Sequence, residues 1–139
     1  MNVDCFLDTN ILIYAAAGRD NEEAKRHKAL ALIENENFGL SAQVLQEFYV
    51  SVVRKIAIPL SPVQALEWID YLAVFPCVPI DSSLVRIAVE VSQRYQISYW
   101  DGAIIAAADI SQASILYSED LNAGQQYSTV RVVNPFLEL

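Results

Sequence analysis

The stretch Val3-Asp4-Cys5-Phe6-Leu7-Asp8-Thr9-Asn10 constrains the fold more than any other part of this chain. Its first six residues, rich in apolar and aromatic types, predict a short buried strand. Asp8, Thr9 and Asn10 then turn the chain, because Asp and Asn are turn formers, and Ile11 to Ala17 resume as a compact apolar helix. In open α/β sheets ligands sit outside the carboxyl ends of the strands, so a carboxylate at that point is a candidate for chemistry. Asp8 would also serve simply as the cap of the following helix or as the acceptor of an Asx turn. Whether other acids converge on it decides between the two.

A chain of 139 residues, 54% apolar and 19% charged, is expected to form one domain over residues 1–139. Four glycines and five prolines leave no low-complexity or disordered composition, and the apolar share points to some surface covered by a partner. Cys5 and Cys77 fall in strand-like segments without a CxxC pair, and they read as small buried hydrophobes in a reducing compartment. No Lys or Arg precedes the first apolar stretch, and Asp4 and Asp8 interrupt it, so an export signal is not expected. No run approaches the roughly 20 apolar residues of a membrane span. A cytoplasmic location is expected. Nine basic against seventeen acidic residues, a net charge of −8, argue against indiscriminate binding of nucleic acid through a basic surface. They leave room for an enzyme that gathers its acids around a metal.

Along the chain, Asn21 to Glu36 predicts an amphipathic surface helix capped by Asn21, with acids in its first turn. Phe38 to Leu40 is a very short strand, and Ser41 caps a helix to about Lys55. Glu47 lies on the flank of that helix's apolar stripe, where it faces either the sheet edge or solvent. Ser61-Pro62-Val63-Gln64 starts a helix to about Val74, with Ser at the cap, Pro first and Gln third. Cys77 to Ile80 is a strand bounded by prolines and so belongs at an edge. Asp81 and Ser82 start a helix to about Tyr95, and Ser98 opens another to about Ala113. Asp101 heads the buried stripe of that last helix, a costly place for a lone ionised carboxylate; it would also complete a capping box with Ser98. Asp109, about 12 Å further along the axis, is expected to be exposed. Ser114 to Tyr117 is a strand whose turn, Ser118-Glu119-Asp120, repeats the situation of Asp8, and Val130 to Val133 is a final strand.

The order β, α, α, β, α, α, β, α, α, β, β calls for a three-layer α/β/α sandwich around a largely parallel five-stranded sheet. With the strands at residues 3 and 115 as central neighbours, Asp8 and Asp120 emerge side by side, and Asp101 and Glu47 start from helices near the same edge. Two ionised carboxylates about 5 Å apart repel by roughly 3 kcal/mol at an effective dielectric near 20, a penalty that a divalent cation removes. Oxygen ligands without Cys or His suit Mg²⁺ or Mn²⁺.

Phe6-Leu7-Asp8-Thr9-Asn10, Val44-Leu45-Gln46-Glu47-Phe48-Tyr49, Tyr99-Trp100-Asp101-Gly102-Ala103-Ile104 and Tyr117-Ser118-Glu119-Asp120-Leu121 stand in the order and spacing of the PIN-domain nucleases. With the closing Val133-Asn134-Pro135-Phe136, the whole chain resembles the VapC-type toxins of toxin–antitoxin systems. The resemblance implies a metal-dependent endoribonuclease, a homodimer, held inactive by a cognate antitoxin. It implies that Asp8, Asp101 and Asp120 hold Mg²⁺ or Mn²⁺, that Glu47 completes the cluster, and that Thr9, Asn10 and Ser118 orient the ligating carboxylates. Glu119 ranks below Asp120. Lys25, Arg26, Lys28, Arg54 and Lys55 are the local clusters of positive charge and candidate guides for RNA phosphates. Tyr14, Tyr49, Trp68 and Tyr71 are candidates for dimer or antitoxin contacts.

A Ser-His-Asp hydrolase is disfavoured because the single histidine, His27, sits in a charged helix, and no GxGxxG or P-loop is present to cradle a nucleotide. A phospho-acceptor domain lacks its lysine after the final strands, and a haloacid-type phosphatase would need Asp at position 10, where this chain has Asn. Two readings remain beside the toxin: a nuclease of the same fold without an antitoxin, and a catalytically silent module that keeps the fold for protein association. The presence of all four acids favours catalysis.

Overall fold

The computed structural model describes residues 2–137 and 139. Strand β1, Cys5–Leu7, is fully buried, and it leads through Asp8 into helix α1, Thr9–Ala17. A 3-10 turn at Asp20–Glu22 precedes α2, Glu23–Asn35. Strand β2, Phe38–Ser41, is followed by α3, Ala42–Val50, and by a π-helical turn at Ser51–Lys55. Then come α4, Pro62–Leu72; β3, Cys77–Val78; α5, Ser82–Tyr95; and α6, Tyr99–Ile110. The chain closes with β4, Ile115–Tyr117; β5, Gln126–Tyr127; and β6, Val130–Val133.

Among the described residues the sheet has six strands in the order β3-β2-β1-β4-β6-β5, and every pairing is parallel except β5 with β6. The expected neighbours do pair, with Cys5 opposite Ile115 and Leu7 opposite Tyr117, and β3 lies at an edge. From β1 the chain steps outward to β2 and β3, then returns across β1 to β4 and β6. With right-handed crossovers the two directions of travel put their helices on opposite faces. Accordingly α1 packs on α2 and α3, and α3 on α4, while α5 packs on α6, which lies against β2, β4 and β6. The core between these layers includes Phe6, Leu7, Phe38, Leu40, Phe48, Ile105 and Leu116, each with at most 1% of its surface exposed.

The sixth strand was not expected. It is two residues long, too short for a period-two pattern, and its loop is Ser128-Thr129 rather than an Asn-Gly type of turn. Ser128 nevertheless adopts φ 56°, so that Tyr127 pairs with Val130 across a two-residue hairpin.

Local chemistry sets most helix starts where the sequence places them. The hydroxyls of Ser41, Ser61 and Ser98 accept from the amides of Val44, Gln64 and Asp101 at 3.2, 3.1 and 3.0 Å, and the Asp81 carboxylate accepts from Leu84 at 2.8 Å. Gln64 completes the box by accepting from the Ser61 amide at 2.9 Å. Asn21 is a correction: it lies inside the 3-10 turn, where the Glu22 carboxylate takes the Arg19 amide, and α2 begins two residues later. Asp109 is another, half-buried and accepting from the Thr129 hydroxyl at 2.6 Å. The expected helix to Lys55 changes its winding at Ser51, where the Ile56 amide reaches back five residues to the Ser51 carbonyl. Among the described residues no helix is long and apolar enough to cross a membrane.

Candidate active site

Asp8 leaves β1 where the ladder is still intact: its own amide donates to the Tyr117 carbonyl at 3.0 Å, and the Ser118 amide donates to Val133 at 3.0 Å. Both chain turns therefore leave the sheet at the same level and side by side. Asp8 is only 5% exposed. It does cap α1, accepting from the Thr9 amide at 2.7 Å through Oδ1. The other oxygen, Oδ2, accepts from the Ser118 hydroxyl at 2.7 Å and from the Asn10 amide group at 3.4 Å. Capping and a place in an acidic cluster are thus compatible roles of one carboxylate.

Asn10 is the bridge between the two turns. Its Nδ2 also donates to Asp120 Oδ2 at 3.2 Å, so the Asp8 and Asp120 carboxylates share one donor. Its Oδ1 accepts from the Glu119 amide at 3.1 Å. Ser118 organises the second turn in the same way, accepting from the amides of Asp120 and Leu121 at 3.1 and 3.4 Å. Thr9 reaches in the other direction, donating its hydroxyl to Glu47 Oε2 at 3.1 Å. Glu47 is half-buried and faces the sheet edge rather than solvent.

Asp8, Glu47 and Asp120 are in this way joined through Thr9, Asn10 and Ser118. Asp101 joins less directly. Its helix runs back toward the amino ends of the strands, where the Val3 amide donates to the Ser111 carbonyl, so its first turn lies at the carboxyl edge. Ser98 caps that turn, but the return bond from Asp101 to the Ser98 amide is absent among the described residues, and Asp101 stays half-buried outside the cap. Gln43, which sequence reasoning missed, makes the connection: its Nε2 donates to Glu47 Oε1 at 2.8 Å and to the Trp100 carbonyl at 3.3 Å. The available signal was its position four residues before Glu47, a spacing at which Gln and an acid meet on a helix.

The electrostatics follow from this packing. Burial pushes the Asp8 carboxyl up to about 6, the bonds from Ser118 and Thr9 pull it back, and the charges of Glu47 and Asp120 push it up again. Glu119 behaves differently. Burial is its largest single influence and acts upward, yet bonds from Lys25 and Tyr14, at 2.5 and 2.6 Å, hold it below the usual carboxylate range. Lys25, nominated as a guide for RNA, is therefore bound to Glu119 and stands over the rings of Tyr14 and Phe136. Tyr14 is tied into this clasp; Trp68 and Tyr71 instead line an open, largely apolar groove with Ala16, Leu30 and Ile33. Tyr49 lines a shallower one with Leu45 and Ile69. Cys5 is buried and unbridged, and burial pushes its thiol up to about 12.

The linked donors are all hard carboxylate oxygens, and Lys25, beside the turn after β4, is committed to Glu119, so the set matches a hard divalent cation in kind. Among the described residues no group of three or more His, Cys, Asp or Glu is arranged to hold a metal ion. As the side chains stand, amide and hydroxyl groups of Asn10, Thr9 and Ser118 fill the spaces between the acids.

The fold recurs in solved structures. A toxin–antitoxin complex from Klebsiella pneumoniae superposes with a TM-score of 0.70 at 21% identity, over 95% of this chain and 98% of that one. VapC20 of Mycobacterium tuberculosis, a sarcin-ricin loop cleaving toxin, gives 0.66 at 18% identity over 84% and 89%. VapBC2 of Rickettsia felis, bound to a fragment of its promoter DNA, gives 0.63 at 17% over 92% and 96%. No curated protein matches the chain in sequence. Residues 5–126 match the model of the family described as PIN domain, and since that span takes in β1 through β4 with Asp8, Glu47, Asp101 and Asp120, the chain belongs to the PIN-domain family.

Proposed function

We propose that this chain is a Mg²⁺- or Mn²⁺-dependent endoribonuclease, the toxin of a toxin–antitoxin pair, acting in the cytoplasm as a homodimer and restrained by a cognate antitoxin. The observation that carries the reading is the placement of Asp8: a buried carboxylate between two further acids, at the carboxyl ends of two adjacent parallel strands. The toxin reading is supported by the fold shared with the Klebsiella complex and VapC20.

Asp8, Asp101 and Asp120, completed by Glu47, would hold the ion. When bound there, the cation supplies charge neutralisation at the phosphate oxygens and makes a water acidic enough to act as nucleophile near neutral pH. The protein's own side chains do the positioning. Thr9 and Ser118 fix the Asp8 oxygens, Gln43 and Thr9 fix those of Glu47, and Asn10 sets the separation of Asp8 from Asp120. The water oxygen forms a new bond to phosphorus as the bond from phosphorus to the 3′ oxygen breaks, the water proton passes to solvent and the 3′ oxygen takes one up, leaving a 3′-hydroxyl and a 5′-phosphate. An antitoxin segment would cover the groove of Trp68 and Tyr71, whose apolar lining is unpartnered in the single chain.

The test is cleavage of structured RNAs by the purified protein with Mg²⁺ or Mn²⁺, with chelator, and with Asp8→Asn. Metal-dependent cleavage that is lost with chelator and in the variant is the expected result. Absence of any metal-dependent cleavage, or a variant that keeps the wild-type rate, overturns the reading.

A further inference from the structure

Trp100 is 64% exposed although it stands one residue before Asp101 and presents its carbonyl to Gln43. A large aromatic surface left in water is informative where it adjoins polar chemistry. Trp100 forms one wall of an open cleft of about 440 Å³ whose other lining residues are Gln46, Glu47, Val50, Ser51 and Lys55, a volume within the range of small-ligand sites. Tyr99 meets the indole edge-on at a centroid distance of 5.0 Å, which props the ring and leaves a face open. Lys55, in the same lining, is the last residue of the π-helical turn that follows α3, exposed and without an ion-pair partner among the described residues.

The cleft thus gathers a flat π surface, a cation and Glu47 of the acidic centre into one lining. Proteins that hold single-stranded nucleic acid combine aromatic platforms for bases with cations that track the phosphates. In a chain of net charge −8, one uncommitted lysine beside an exposed indole marks the track more sharply than it would on a basic surface. We propose that Trp100 stacks a nucleobase flanking the scissile phosphate and that Lys55 contacts a phosphate of that same single-stranded RNA segment. The inference rests on the ribonuclease reading and adds the path by which the substrate enters.

The test measures binding apart from cleavage, using a 5′-labelled single-stranded RNA in chelator with Asp8→Asn as the parent protein. Trp100→Ala is expected to weaken binding by about fivefold or more, the loss of one stacked base, and Trp100→Phe to restore most of it. Lys55→Gln is expected to weaken binding and to lower the salt slope by about one. With Trp68→Phe in the parent, Trp100 is the single tryptophan, and saturating RNA should quench its fluorescence. Unchanged affinity in Trp100→Ala with no quenching overturns the inference while leaving the nuclease reading intact. So does a Trp100→Ala variant that changes sedimentation but not RNA binding, which would assign the indole to a protein interface. If the parent binds no RNA and the wild type cleaves none, both readings fall together.

Discussion

Ser118 donates its hydroxyl to Asp8 Oδ2 at 2.7 Å across 110 residues of sequence. The Ser118 Oγ in turn accepts from the Asp120 and Leu121 amides, so one small side chain sets both the Asp8 carboxylate and the turn that carries Asp120. Ser118→Ala would leave a buried carboxylate oxygen and two amides short of a partner, at a cost of about 1–3 kcal/mol. Urea unfolding checks it. A loss under about 0.5 kcal/mol would mean that the turn holds without the hydroxyl.

Asp8 should destabilise the native state at neutral pH. An acid whose native pKa is raised from 3.8 to about 6 is more readily protonated in the folded state than in the unfolded one. Its contribution to stability is complete below pH 3.8 and is lost as pH rises through about 6. Asp8→Asn is therefore expected to unfold with higher stability than wild type at pH 7, by at most about 3 kcal/mol for a shift of that size, and to converge with it near pH 4. Calorimetry at both pH values decides the matter, and a variant less stable at pH 7 would contradict it.

A divalent cation should offset the cost of the buried Asp8 charge and its repulsion from Glu47 and Asp120. With Mg²⁺ or Mn²⁺ at ten times its Kd, the wild type gains about 1.4 kcal/mol, read as a rise in Tm at pH 7. Asp8→Asn should show little or none of this gain.

The clasp of Lys25 on Glu119 is half open to solvent, and its removal is expected to be mild. Lys25→Met should cost about 1 kcal/mol or less. Glu119, held below its ordinary value, stabilises the fold above its unfolded pKa and loses that contribution as pH falls. The Lys25→Met variant should accordingly lose less stability on acidification, as followed by urea unfolding between pH 7 and 3.

Gly102 marks where α5 and α6 touch. A Cβ there would stand 2.8 Å from the Ala88 carbonyl and 3.1 Å from the Ser92 Cβ and amide, and two of those contacts are backbone. Gly102→Ala is expected to cost about 1–3 kcal/mol through overpacking and, by displacing the first turn of α6, to slow RNA cleavage as well. Thermal unfolding and a cleavage assay report the two effects separately.

Much of this architecture was legible because its signals are local. Val3 to Asp8 is an apolar run ended by turn formers, and the Ser-Pro-Val-Gln start of α4 needs no tertiary contact to be recognised. The order of elements called for a largely parallel sheet, and the supposition that β1 and β4 are central neighbours agrees with their pairing. Three features were hidden for the opposite reason. The two-residue β5 exists only because β6 offers it a partner, Gln43 matters through a carbonyl 57 residues away, and the engagement of Lys25 depends on α2 lying beside the turn after β4. Asp101 stands between these cases: its helix start was readable, whereas its relation to the other acids is set by how α6 crosses the sheet.

The sheet ends on both sides in strands of two residues, β3 and β5. An unpaired rim that short offers an incoming chain almost no main-chain donors and acceptors on which to extend the ladder. A polypeptide with more than half of its residues apolar thereby offers little rim for edge-to-edge growth into fibres.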